Sequence, residues 1–357
     1  MYSATQAERY VAAVAREIDS WRGPGLLSEG ELKADTIYFG GGTPSLLLPA
    51  QLETLLSAVR RRFQVSSDVE ITMEMNPGTV TPETLSAFRA LGVNRASFGA
   101  QTFDDSELAR LGRSHTSADT RRTFHQLRDA GFDNVSFDLI AGLPGQTLDG
   151  WKRNLDQAFA LQPEHLSFYL LEVHQGTPLA DHIRRGIQPR PDEELATEMY
   201  EVMLDRAVEA GYVHYEISNL SLPGFESRHN TKYWTGAPYF GFGCSAHSYD
   251  GRQRRWANER EIVRYLELIE GQDSPVVEQT ELSEADRQAE AVFLGLRMMQ
   301  GFSVSNYERV FGRDIRADHE SDLARFREAG LIECDGDLLK LTRAGALLSN
   351  EVFAAFV

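Results

Sequence analysis

Between residue 1 and about residue 220, short apolar runs take turns with capped amphipathic stretches. A chain that keeps returning from helix to strand in this way has to lay its strands parallel. The first amphipathic stretch runs from about Thr5 to Trp21, with Tyr10, Val11, Val14 and Ile18 on one face, and Thr36-Ile37-Tyr38-Phe39 follows as a strand. Pro49 opens a helix carrying Leu52, Leu55, Leu56, Val59 and Phe63, and Thr81-Pro82 supplies the N-cap and first turn of another that ends before Gly92. Further strands are expected near Val69 to Met75, Val93 to Phe98, Val135 to Ile140 and Leu166 to Leu171. The repeat alone allows either an open doubly wound sheet or a barrel. The polar residues separate the two, because alternation puts Glu70, Thr72 and Glu74 on one face of a strand, and Ser136 and Asp138 on one face of another. Doubly wound strands are apolar on both faces, whereas a wide or partial barrel tolerates a polar interior, so a partial parallel (β/α) barrel is expected.

The pattern changes after about residue 220, which predicts a barrel over 1–220 and a second, mainly helical domain over 221–357. A Gly- and aromatic-rich segment, Tyr233 to Gly243, precedes helices around Glu259 to Glu270 and Ser283 to Met299. The end reads helix, Gly330, strand Leu331 to Cys334, turn Asp335-Gly336, strand Leu338 to Leu341 and helix, a winged-helix-like order over 303–357. Nucleic acid is not the expected partner. The formal charge is -17, and Glu320, Asp322 and Glu328 dilute the basic residues of the winged-helix-like part. No run approaches the roughly 18 apolar residues of a membrane span, and no secretory start is present. The expectation is a cytoplasmic protein without a transmembrane segment, for which peripheral membrane association stays open. Cys244 and Cys334, neither with a second cysteine nearby in sequence, read as small buried residues.

Chemistry concentrates at the C-terminal ends of the predicted strands, the face where barrels carry their sites. Gly40-Gly41-Gly42-Thr43-Pro44-Ser45 follows a strand, and consecutive glycines let backbone N–H groups approach a carboxylate or phosphate. Neither a P-loop lysine nor dinucleotide-binding spacing accompanies them. Glu74 before Asn76-Pro77, Gln101, Asp138 before Gly142-Leu143-Pro144-Gly145, and Arg113 complete a polar small-molecule site. Its acids suit hydroxyl and ammonium groups and its arginine suits a carboxylate.

These segments, with Leu111-Gly112-Arg113-Ser114-His115 and Asp138 to Thr147, resemble the radical S-adenosylmethionine (SAM) enzymes of the oxygen-independent coproporphyrinogen III oxidase type. Within that group the chain is most similar to the HemW haem chaperones, whose His-Asn-x-x-Tyr-Trp motif is matched by His229-Asn230-Thr231-Lys232-Tyr233-Trp234. The resemblance covers essentially the whole chain. It implies a radical SAM barrel with SAM contacts from Gly41, Gly42, Thr43, Glu74, Gln101, Arg113 and Asp138. It also implies haem as ligand, a haem-accepting protein as partner, and a family C-terminal domain at the end of the chain. His229, read by itself, is either a packed histidine or a ligand; the resemblance implies an axial haem nitrogen with flat apolar contact from Tyr233 and Trp234, and His247 is a second candidate. The implied function is haem binding and transfer, with radical SAM decarboxylation of coproporphyrinogen as the alternative, so whether the chain is an enzyme is left open. The family's 4Fe-4S cluster requires a CxxxCxxC loop after a first barrel strand, and this chain has neither. Met1-Tyr2-Ser3 aligns just beyond that loop. A start placed downstream of the family's first strand is expected rather than a cluster-less variant, and the chain as written is not expected to assemble the cluster.

Overall fold

The structure, a computed structural model, describes residues 4–23 and 32–356; the alignment drawn for Met1-Tyr2-Ser3 lies outside the described residues. The predicted βα repeat becomes strands β1 (Lys33–Phe39), β2 (Gln64–Met75), β3 (Arg95–Gln101), β4 (Val135–Ala141) and β5 (His165–Leu170). Two short strands, β6 (Val213–Glu216) and β7 (Asn219–Ser221), extend the same sheet in the order β1-β2-β3-β4-β5-β7-β6. Strands β2 to β5 are parallel, and the β6–β7 hairpin joins antiparallel to β5. The first five strands follow chain order with no reversal and the sheet's ends do not pair, which is the order of the expected partial barrel and not of a doubly wound sheet. The predicted alternation is kept in space: Ser97 lies opposite Glu74 and Ser136, and Asp138 opposite Ser167, while Phe98 pairs with Phe137 on the other face. There the two rings meet edge to face at 4.7 Å in an apolar layer with Leu85, Phe88 and Phe124, all buried.

The described residues form two compact units interleaved in sequence. One comprises Tyr38–Leu46 and Ile71–Ser227 and holds most of the sheet. The other comprises the described parts of Met1–Ile37, Leu47–Glu70 and Arg228–Val357. In this second unit the first helix is Ala4–Ser20, packed on the helix Pro49–Arg62. It also contains an antiparallel sheet that the sequence reading did not anticipate: β8 (His247–Tyr249), β9 (Arg254–Asn258) and β10 (Val276–Glu281), in the order β10-β9-β8. The end of the chain follows the expected order, with β11 (Phe302–Ser303), β12 (Ile332–Asp335) and β13 (Leu338–Leu341) beside the helices Val304–Phe311 and Glu320–Glu328.

The expectation of two buried cysteines is corrected. Cys334 is exposed, because it sits on β12, an edge strand of its sheet, and Cys244 is half-buried with its thiol donating to the Arg260 carbonyl at 2.8 Å.

Candidate functional site

The glycine loop after β1 is built around one carboxylate. Glu74, near the end of β2, accepts from the Tyr38 hydroxyl at 2.8 Å and from the Gly41 N–H at 3.1 Å. A β-carbon at Gly40 would collide with the Tyr38 ring and sit 3.0 Å from Glu74 Oε1, so this close approach needs glycine. Gly41 and Gly42 take φ of 78° and 90°, the left-handed region expected of them. Asn76 Nδ2 donates to Thr43 Oγ1 at 3.1 Å, and the Ser45 and Thr79 hydroxyls pair at 2.9 Å. Gly41, Gly42, Thr43 and Glu74 therefore form one constellation at the strand ends.

Asp138 and Gln101 face the same interior from β4 and β3. Burial pushes the Asp138 carboxyl up to about 6, with the negative charge of Glu74 adding to the rise; its hydrogen bond with Ser167 and the charges of Arg95 and Arg113 pull the other way. Gln101 is buried and takes φ of 62°, at an irregularity in the β3–β4 register. Its amide occupies the space that a side chain at Gly99 would fill. Backbone strain of this kind in a non-glycine residue persists only where its surroundings fix it. Arg113 is exposed, in the turn after the helix Asp105–Arg110.

Three residues of this unit were not singled out from the sequence. Arg95, 2% exposed, points its charge toward Asp138 from the neighbouring strand. Buried Glu107 accepts from the Gln146 amide at 3.1 Å, while Gln146 Oε1 accepts from the Gly142 N–H at 2.9 Å, which fixes the loop after Asp138. Tyr38 is the third. An arginine inside the expected strand Val93 to Phe98 could have flagged Arg95; nothing local in sequence flags Tyr38 or Glu107.

One prediction arises here. An acid whose folded pKa is raised takes up a proton on folding, so its contribution falls as pH rises from about 4 to about 6. Asp138→Asn should thus stabilise the protein at pH 7 by about 1 to 3 kcal/mol and leave it near wild type at pH 4, as chemical denaturation at the two pH values will show. Equal gains at both values would contradict the assigned burial effect.

His229 belongs to the other unit, on the short helix Arg228–Trp234. Glu70 anchors that helix by accepting from the Arg228 and His229 N–H groups, each at 3.0 Å. Both imidazole nitrogens have partners: Nδ1 lies 3.1 Å from Thr36 Oγ1, and Nε2 lies 3.0 Å from the Tyr233 hydroxyl. Trp234 has the Arg297 guanidinium over its ring at 4.1 Å. His247, on β8, is exposed. No three His, Cys, Asp or Glu side chains among the described residues gather as a metal site, and the two thiols do not fit a three-cysteine cluster. The glycine loop, the paired acids and Arg113 do fit SAM, whose amine, hydroxyls and carboxylate need that donor set. Among the described residues, no helix is long and apolar enough to cross a membrane.

Comparison with known proteins bears on this arrangement. The radical SAM superfamily profile matches residues 27–158, and the HemN C-terminal domain profile matches residues 282–348. The chain is 38% identical to the heme chaperone HemW of Bacillus subtilis over 333 residues, 93% of this chain and 88% of that protein. It is 36% identical to the heme chaperone HemW of Mycobacterium tuberculosis (strain H37Rv) over 348 residues, 97% of this chain and 85% of that protein. Coproporphyrinogen III oxidase (HemN) from Escherichia coli, a radical SAM enzyme, superposes with a TM-score of 0.83 at 23% identity, covering 100% of this chain and 85% of that one.

Proposed function

The chain belongs to the HemW family of haem chaperones within the radical SAM superfamily, and from that premise we propose that it binds haem and hands it to an acceptor protein. The observation that carries this reading is similarity to haem chaperones along nearly the whole chain, with His229-Asn230-Thr231-Lys232-Tyr233-Trp234 in place. The coproporphyrinogen oxidase alternative rests on likeness of fold. The barrel unit is assigned to SAM. Arg113 would take its carboxylate, Glu74 and Asp138 its ammonium and hydroxyl groups, and Gly41, Gly42, Thr43 and Gln101 the remaining backbone and amide contacts. When bound, SAM supplies a sulfonium and an adenosyl group, and the residues named here hold and orient it. The cytoplasm is proposed as the site of action, and the haem acceptor is a protein whose own haem site is empty.

His229 is proposed as the axial ligand, which requires Tyr233 to release Nε2 or Thr36 to release Nδ1. Hemin titrated into the full chain should give a saturable Soret band that His229→Ala shifts and weakens. The same variant should lose about 1 to 3 kcal/mol of stability, because the Thr36 and Tyr233 hydroxyls lose their shared partner. An unshifted band at wild-type affinity, with the stability loss alone, would make His229 structural.

A further inference from the structure

In the unit that carries His229, a cleft of about 640 Å³ opens between Trp21 and strands β9 and β10, within the size range of small-molecule sites. Its wall is one end of an aromatic stack. Phe63 lies on Trp21 at 5.4 Å and 26°, Trp21 tilts against Phe240 at 4.6 Å, and Phe240 stacks with Trp256 at 6.1 Å and 28°. Two cations accompany the rings. Arg62 sits over Trp21 at 5.8 Å with its Nε buried and unpartnered among the described residues, and exposed Arg254 lies two positions from Trp256 on the same face of β9. The acid on the rim, Glu281, accepts from the Gln253 amide at 2.6 Å.

This cleft is not the His229 cluster. Arg255 also lines the cleft, but its guanidinium lies over Tyr249 at 5.1 Å and pairs with Glu290 at 2.8 Å. From Tyr249 the ring contacts run through Tyr239 and Tyr233 to His229. Among the described residues, no imidazole lines the cleft. Two tryptophan rings with the Arg254 guanidinium beside them, and no histidine among the described lining residues, match the chemistry of a planar aromatic carboxylate.

We propose that the cleft is a second haem-holding site, which grips the porphyrin by its face and its propionates and makes no bond to iron. The assignment rests on the haem reading and adds a position to it. A site without an iron ligand releases its haem without breaking a coordinate bond.

The test uses metal-free protoporphyrin IX, which His229 cannot ligate, titrated into the full chain by tryptophan quenching and porphyrin absorbance, with hemin titrated in parallel. Saturable binding is expected, weakened about tenfold or more in Trp256→Ala, retained in Trp256→Phe, and unchanged in His229→Ala. Arg254→Glu, at an exposed position that leaves the stack in place, should weaken it about fivefold or more, which keeps the test decisive if Trp256→Ala fails to fold. Wild-type affinity in Arg254→Glu and in a folded Trp256→Ala would overturn the assignment. So would a wild-type chain that binds hemin saturably but not protoporphyrin IX, and that outcome leaves the haem reading standing. A chain that binds neither overturns both.

Discussion

Glu17→Ala should lower the stability of the protein by about 3 to 5 kcal/mol, visible as a large drop in the urea midpoint at pH 7. Glu17 lies on the helix Ala4–Ser20 and is 6% exposed. Three donors converge on it: the Tyr265 hydroxyl at 2.7 Å, the Gly243 N–H at 2.8 Å and the Asn258 amide at 2.6 Å. One carboxylate thus ties together the first helix, the glycine-rich segment, the end of β9 and the helix Ile262–Glu270. Alanine leaves the Tyr265 hydroxyl and the Gly243 N–H without this acceptor and the Asn258 amide with only the Gly243 carbonyl at 2.9 Å, and each orphaned buried donor costs about 1 to 3 kcal/mol. Glu17→Gln should lose less, since its amide oxygen still accepts.

The two variants also differ from wild type in pH dependence. Burial is the largest influence on the Glu17 carboxyl and raises its pKa, against the lowering effect of its three hydrogen bonds. A raised acid binds its proton more tightly in the folded state, so wild-type stability from this residue falls as pH climbs out of the ordinary glutamate range. Glu17→Gln should remove that dependence, and a Gln variant with the wild-type pH profile would place the titration elsewhere.

The parts of this protein that were legible in the sequence are those whose cause is local. Strands β1 to β5 announce themselves through apolar runs and capped helices, and the glycine loop through three glycines at a strand end. The polar faces of β2 and β4 identified the partial barrel because side-chain direction has a period of two. Strands β6 to β10 escaped because most are three to five residues long and carry polar side chains such as His214, Arg254 and Gln279, too little for alternation to register. Glu17 and Glu70 escaped for another reason. Their partners lie 226 to 248 and 158 to 159 positions away, so nothing near either glutamate says which donors it will meet. Glu70 was legible only as a member of a polar face; its use as the anchor of the helix bearing His229 is a tertiary fact. The resemblance carried by Tyr233 and Trp234 beside His229 implied flat contact surfaces, while Arg297 over Trp234 could be found only by folding the chain.

The second large effect concerns haem as cargo. A chaperone has to hold haem firmly enough to carry it and loosely enough to lose it, which a resident cofactor does not. The full chain, loaded with hemin and freed of excess by gel filtration, should retain a saturable complement of haem in buffer and give it up completely to an excess of apomyoglobin. The transfer is read directly from the change of Soret spectrum from that of the loaded chain to that of myoglobin. Complete transfer from a stably loaded chain is the result predicted for a haem-delivering protein. Haem that stays on the chain in the presence of excess apomyoglobin, or a chain that never retains haem through gel filtration, would contradict it.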